Sequence, residues 1–318
     1  MAKKGILITG IGGDIGQSII RCIKDIDSPF RLIGCDIDHY ASGRPSVDKF
    51  LIAPRVAEPK KYLKFLDDNI SKYNIKYIYP AVESEIIFFD LHREYFNGKG
   101  VIVFINKPFI INTFFDKYET INFLKRNKIS HPATFLLEKY NNQLDFPIII
   151  KPRRGCGGRG LIKLDGPEEF KAQKKVLVDA VVQEYLDGEN NEYTTGVFSD
   201  GEEAHSITFK RKLSPEGFSK MVELVRDEKI NKLAEKIARS SNLVGSLNIQ
   251  SKRNGEDFTV FEINPRFSST VYFRHYFGFR DVEWWMRLAE NKKINFKLKY
   301  KRGVGVRCFN ENFFNLKK

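Results

Sequence analysis

The 318-residue chain reads as a mixed α/β (α+β) protein, and three observations carry that reading. An apolar run, Lys4 to Thr9, meets a glycine-rich turn and then a helix-like stretch from Ser18 to Ile23, the opening of a β–α–β unit in a parallel sheet. Near the middle, the run Ile148-Ile149-Ile150 delivers Lys151 into a second glycine-rich loop. In the last third, two strand-like runs flank the turn Arg253-Asn254-Gly255, the pattern of a hairpin.

The elements follow in order. After the first unit, strand Arg31 to Cys35 ends in Asp36 and Asp38, helix Pro59 to Tyr73 comes next, and strands Tyr77 to Tyr79 and Val101 to Ile105 complete a small doubly wound domain. Asn112 to Asn127 reads as one helix, Leu161 to Leu164 as a strand, Pro167 to Lys174 as a helix and Val178 to Gln183 as a strand. Ile230, Leu233, Ala234, Ile237 and Ala238 have the spacing of an amphipathic helix that ends near Gly245. Strands Ser246 to Ser251 and Asp257 to Ile263 form the hairpin. The expected division is 1–110, 111–182 and 183–318.

Composition narrows the class. Hydrophobic residues at 42% and charged residues at 29% suit a folded core rather than wholesale disorder. Four scattered cysteines, Cys22, Cys35, Cys156 and Cys308, make no CxxC pair, which argues against a disulfide framework or cysteine zinc site and fits the reducing cytoplasm. No apolar run is long enough to span a bilayer, and the N-terminus lacks a signal-peptide pattern, so no membrane role is expected. The net charge of +13 comes from lysines spread along the whole chain, without an arginine-rich tail or zinc-finger spacing; a basic surface that attracts anionic small molecules is expected, not a nucleic-acid partner.

Two glycine loops bid for a phosphate ligand. Gly10, Gly12, Gly13 and Gly16 follow the first strand, and Asp36 lies twenty residues beyond Gly16, where an acidic residue holds a ribose hydroxyl in a dinucleotide site. An NAD-dependent oxidoreductase of the extended short-chain type needs a Tyr-x-x-x-Lys pair on a downstream helix; Tyr95 and Lys99 have that spacing but straddle Asn97-Gly98, which reads as a turn. The second loop, Arg153 to Gly160, offers backbone N–H groups to a polyphosphate and Lys151 offers a charge, without the order of a P-loop. In the hairpin, Asn248 and Gln250 share one strand face, as do Glu262 and Asn264 on its neighbour. One carboxylate among neutral amides suits Mg²⁺, which takes few protein oxygens and completes its shell from phosphates. Arg266, two residues on, is placed to clamp a phosphoryl group.

With these strings together, residues 112 to 290 resemble the ATP-grasp superfamily, most closely the ATP-binding halves of carbamoyl phosphate synthetase large subunits and related carboxylate–amine ligases. The Asn-x-Gln, hairpin, Glu-x-Asn-Pro-Arg string is the most specific part. The resemblance implies an ATP-grasp fold behind an N-terminal Rossmann-like domain. It also implies positions. Lys117 and Lys151 match the basic residues on the ATP phosphates, and Gly155, Gly157, Gly158 and Gly160 the flexible loop over them. Gln183, Glu184, Tyr185 and Leu186 match the hinge strand, whose backbone around Glu184 and Leu186 reads adenine, and Glu192 the acid on the ribose. Glu262, Asn264 and Gln250 match ligands of Mg²⁺, for which Mn²⁺ is a substitute, and Arg266 the arginine on the transferring phosphate. Gly12, Gly13, Glu83, Lys210 and Arg211 are candidates for the second substrate.

The implied reaction turns a small-molecule carboxylate into an acyl-phosphate with ATP and joins it to an amine, releasing ADP and phosphate. Lys151 and Arg266 are its catalytic residues. Related ligases are commonly homodimers, and a homodimer is one assembly the resemblance allows. The rivals are the NAD-dependent oxidoreductase and a non-catalytic ATP-binding module. The first leaves the hairpin string unexplained; the second leaves both lysines and Arg266 without a purpose.

Overall fold

The computed structural model describes residues 3–26, 29–155, 160–188, 191–296, 302–308 and 311–312. The chain starts with β1 (Gly5–Thr9), α1 (Asp14–Lys24), β2 (Arg31–Asp36), β3 (Lys49–Ile52), α2 (Pro59–Tyr73), β4 (Ile75–Tyr79), α3 (Glu83–Leu91), α4 (Arg93–Gly98) and β5 (Ile102–Val103). The strands form one parallel sheet in the order β3-β2-β1-β4-β5. β1 is buried along its whole length, with Ile6, Leu7 and Ile8 at its centre, as suits the central strand of a parallel sheet covered on both faces. The chain then turns tightly into α1: a Cβ on Gly16 would sit 2.5 Å from the Gly10 carbonyl oxygen, so only glycine fits there.

Next come α5 (Pro108–Phe114) and α6 (Lys117–Arg126), then β6 (Thr134–Leu136), β7 (Ile148–Pro152), β8 (Ile162–Leu164), α7 (Pro167–Lys174) and β9 (Ala180–Glu184). The single helix expected over Asn112 to Asn127 is two. Asp116 breaks it, because its carboxylate accepts the Tyr118 and Glu119 N–H groups and so caps a new helix. β6, β9, β7 and β8 make a four-stranded antiparallel sheet in that order. The remaining strands before the hairpin are β10 (Glu192–Ser199), β11 (Ala204–Leu213) and β12 (Ser219–Val225). Then follow α8 (Glu228–Ser240), the hairpin β13 (Gly245–Asn254) and β14 (Asp257–Asn264), α9 (Val271–Tyr276), α10 (Asp281–Ala289) and β15 (Val304–Val306). A six-stranded antiparallel sheet runs β14-β13-β10-β11-β12-β15. Its apolar face, with Val197, Leu247, Ile249 and Ile263, packs on α5, α6 and α8, which leaves Asn248, Gln250 and Glu262 on the opposite face.

Packing divides the chain into two compact units, with breaks after Asn106 and after Pro265. The first holds the parallel sheet together with α9 and α10; the second holds both antiparallel sheets, including β15. Residues 266 to 296 therefore leave the piece expected over 183–318. Three bonds tie them to the first unit: the Cys22 thiol to the Val271 carbonyl, the Tyr79 hydroxyl to the Val282 carbonyl, and the Tyr77 hydroxyl to Glu290. Inside the same layer, Arg274 and Asp281 make an ion pair that is 0% and 1% exposed.

Candidate nucleotide-binding site

The second unit contains a cleft between its two sheets, and the four-stranded sheet supplies one wall. β7 carries Lys151 into it at 5% exposure, where its ammonium donates to Gln183 Oε1 on the neighbouring strand at 2.8 Å. Gln183 in turn donates to Thr134 Oγ1, also at 2.8 Å. Burial is the main influence on Lys151 and pulls it from 10.5 to about 8; Glu262 opposes that fall and Lys117 adds to it. Lys117 opens α6, and its ammonium donates to the Gly155 carbonyl at 2.8 Å while its N–H bonds the Arg153 carbonyl at 3.0 Å. The glycine loop is thus anchored where it leaves β7. A second anchor is Arg153, whose guanidinium reaches the buried carboxylate of Asp116 at 2.8 Å. At the far end of the loop, Gly160 has φ of +74° and no room for a Cβ beside Pro152. Gly157 and Gly158 lie outside the described residues.

The segment after β9 forms the next stretch of wall. Glu184 exchanges two bonds with Ala133: its N–H donates to the Ala133 carbonyl, and its carboxylate accepts the Ala133 N–H. The Tyr185 ring has Lys163 and Lys252 within 4.9 and 5.5 Å of its centroid. Lys252 also donates to the Leu186 carbonyl at 2.6 Å. Glu184 and Leu186 line the cleft here together with the apolar side chains of Ile149, Leu161 and Phe261.

The six-stranded sheet supplies the opposite wall. Gln250 and Glu262 are register partners across the hairpin. A bulge beside them leaves Phe261 unpaired, so Phe261 and Glu262, though neighbours in sequence, both line the cleft. Glu262 Oε1 accepts from Asn264 Nδ2 at 2.8 Å and from Gln250 Nε2 at 3.5 Å. Gln250 Oε1 is taken by Arg211 at 2.8 Å, so Gln250 offers Glu262 nitrogen, against the expectation of an oxygen ligand. Arg211 also donates through Nε to Glu192 at 3.0 Å. Among the described residues no group of three or more His, Cys, Asp or Glu side chains is gathered for a metal. One carboxylate with a neighbouring amide fits a hard cation that draws its other oxygens from phosphates and water.

Residues 114–270 match the ATP-grasp domain family, and residues 6–104 match the PylC-like N-terminal domain. The chain carries an ATP-grasp domain. It is 28% identical over 159 residues to the carbamoyl phosphate synthase large chain of Thermotoga neapolitana, an alignment that covers 42% of this chain and 14% of that one. It is 24% identical over 144 residues to the arginine-specific large chain of Bacillus subtilis, again 14% of that protein. The chain thus spans about one seventh of these curated relatives. Among solved structures, the biotin carboxylase domain of Hydrogenobacter thermophilus 2-oxoglutarate carboxylase superposes with a TM-score of 0.75 at 16% identity, covering 96% of this chain and 74% of that one. It was determined as a dimer with MgADP, ADP and bicarbonate. The N5-carboxyaminoimidazole ribonucleotide synthetase of Thermotoga maritima gives 0.67 at 18% identity over 93% and 78% of the two chains. The L-amino acid ligase of Bacillus licheniformis gives 0.71 at 14% identity over 90% and 74%.

Outside the ATP-grasp cleft, the first unit holds Arg266, Glu83, Gly12 and Gly13. Arg266 and Glu83 are paired to each other at 2.8 Å, each 15% exposed, so neither ends the sequence-predicted role free-handed. Glu83 opens α3. Gly12 donates its N–H to Asp36 Oδ2 at 2.7 Å, and Asp36 Oδ1 accepts from Asp38 N–H, so the acid of the dinucleotide pattern is engaged by its own backbone. Gly13 caps α1 and lines a crevice at the C-terminal edge of the parallel sheet, together with Asp36 and the buried Glu85. Asn97-Gly98 is the end of α4, not a turn. Tyr95 and Lys99 both bind Asp67, which leaves the oxidoreductase pair without support. Lys210 lies on β11 opposite Tyr193 and Glu223.

Sequence reasoning missed Lys252, Phe261 and the contact of Gln183 with Lys151. Lys252 was within reach of the alternation rule, two positions past Gln250 on the same strand face. Gln183 and Phe261 were not, because a cross-strand partner and a bulge depend on which strands pair. Cys22 and Cys35 are free thiols, and no described helix is long and apolar enough to cross a membrane.

Proposed function

We propose that the chain is an ATP-dependent, ADP-forming ligase that activates a small-molecule carboxylate as an acyl-phosphate and joins it to an amine. The observation that carries this reading is the gathering of Lys117, Lys151, the start of the glycine loop, Glu192 and Glu262 around one cleft. Adenine lies against the backbone of Glu184 to Leu186, and Glu192 takes the ribose hydroxyls. Lys117 and Lys151 neutralise the phosphates, with Gly155 and Gly160 framing the loop above them. Glu262 and Asn264 hold Mg²⁺, whose positive charge lowers the cost of moving a phosphoryl group. The substrate carboxylate is itself the nucleophile, so no activated serine or cysteine is needed. Arg266 is assigned to the transferring phosphate, a role that requires its guanidinium to exchange Glu83 for phosphate oxygens.

The neutral partner on Lys151 supports the assignment. Gln183 orients the ammonium without cancelling its charge, which a carboxylate at that position would do. An anionic ligand therefore meets a buried cation whose hydrogen-bond partner is neutral, where attraction is stronger than at the surface. The test is ADP release from Mg-ATP across panels of carboxylates and amines. ADP formation that needs one member of each panel supports the ligase; ATP turnover indifferent to both panels refutes it.

A further inference from the structure

The sequence makes Arg211 a candidate for binding the second substrate. We infer that Arg211 is instead a positioning residue of the cleft, which holds Glu192 and Gln250 together and so sets the atom that Gln250 turns toward Glu262. The inference rests on the ATP reading above. Arg211 is 7% exposed and is not among the residues that line the cleft, whereas Glu192 and Glu262 are.

Sheet order makes the contact. β11 is next to β10, and the pairing of Tyr193 with Lys210 puts Glu192 beside Arg211. Gln250 lies one strand further, on β13, opposite Thr194. Only a long side chain can reach across β10 on that diagonal. The guanidinium does so, giving Nε and Nη2 to Glu192 Oε1 and Nη2 to Gln250 Oε1 at 2.8 Å. An arginine has donors alone, so the amide atom facing it must be the oxygen. The planar amide then directs Nε2 the other way, to Glu262 at 3.5 Å. Glu192, Arg211, Gln250 and Glu262 form one chain of contacts across four adjacent strands. A buried guanidinium without Glu192 would be costly, and Glu192 without Arg211 would lose the group that fixes its carboxylate. The sugar end and the metal end of the nucleotide are thus held by a common residue.

The test is calorimetric titration of ATP and of 2′-deoxy-ATP, each with Mg²⁺. The proteins are wild type, Arg211→Met, Arg211→Lys, Glu192→Gln and the Arg211→Met/Glu192→Gln double variant. Wild type is expected to prefer ATP. Both single variants, Arg211→Met and Glu192→Gln, should lose most of that preference, and the double variant should be no worse than either, to within about twofold. The Mg²⁺ concentration needed for half-maximal ATP binding should also rise in Arg211→Met, because the Gln250 amide is released. Arg211→Lys keeps the charge as a single point donor; it should fold where Arg211→Met does not, and it should show the same loss of sugar preference. An unchanged ATP to 2′-deoxy-ATP ratio in folded Arg211 variants, or losses that add in the double variant, overturns the positioning role and returns Arg211 to direct ligand contact. Absence of ATP binding by wild type overturns the ATP reading itself, and this inference with it.

Discussion

Raising the pH from 7 to 9 should weaken Mg-ATP binding through one group, Lys151. Its ammonium is displaced to about 8 chiefly by burial, and phosphate oxygens favour the protonated form. The free protein therefore loses the charge as pH rises through 8, while the bound protein keeps it, so affinity must fall with pH. With half-titration near 8, the protonated fraction drops from roughly nine-tenths at pH 7 to roughly one-tenth at pH 9, and the dissociation constant rises about tenfold. At pH 8, binding should take up about half a proton, which calorimetry in buffers of different ionisation enthalpy reads directly. Lys151→Met provides the control. It should bind Mg-ATP about 10- to 100-fold more weakly, the loss of a charge-assisted contact, and its remaining pH dependence is that of ATP and of the other groups. A flat affinity between pH 7 and 9 in wild type, or a wild-type slope that survives in Lys151→Met, refutes the reasoning.

Glu262→Gln should abolish ADP formation while leaving the melting temperature within a few degrees of wild type, because Glu262 faces the cleft and not the apolar core; wild-type turnover by the folded variant would remove Glu262 from the metal site. Gly16→Ala should destabilise the first unit strongly in thermal unfolding, since its Cβ meets the Gly10 carbonyl at 2.5 Å, whereas Gly13→Ala, with its nearest neighbour at 3.5 Å, should unfold like wild type. Asp281→Asn should cost about 3–5 kcal/mol in denaturant unfolding, because it leaves the fully buried Arg274 charge uncompensated; a loss below about 1 kcal/mol would show that the pair is not what holds α9 to α10.

The parts of the site that were legible in the sequence are those written in local spacing. Lys151 ends an apolar strand, and Glu262 and Asn264 alternate on one face of a hairpin whose turn is marked by Gly255 at φ +60°. Pro59–Tyr73 and Pro167–Lys174 begin at proline, which has no N–H to lose in a first turn, and their starts were readable for that reason. What escaped depends on non-local pairing. Arg266 finds Glu83 across 183 positions, and Arg211 finds Gln250 only because β10 lies between their strands. Residues 266 to 296 follow the hairpin in sequence but pack with the first unit, a choice made by Cys22, Tyr77 and Tyr79 far upstream. The break before α6 turned on a single aspartate whose capping bonds compete with a continuous helix.

The proposed ligase binds ATP, and binds it in the second unit. Hydrogen exchange with and without Mg-ATP tests both halves at once. Protection is expected in the peptides that carry β7 with the start of the glycine loop, β9 with Glu184 to Leu186, and the β13–β14 hairpin, with no change at residues 10–16. Protection confined to residues 10–16 and the end of β2, or appearing only when NAD replaces Mg-ATP, would contradict it.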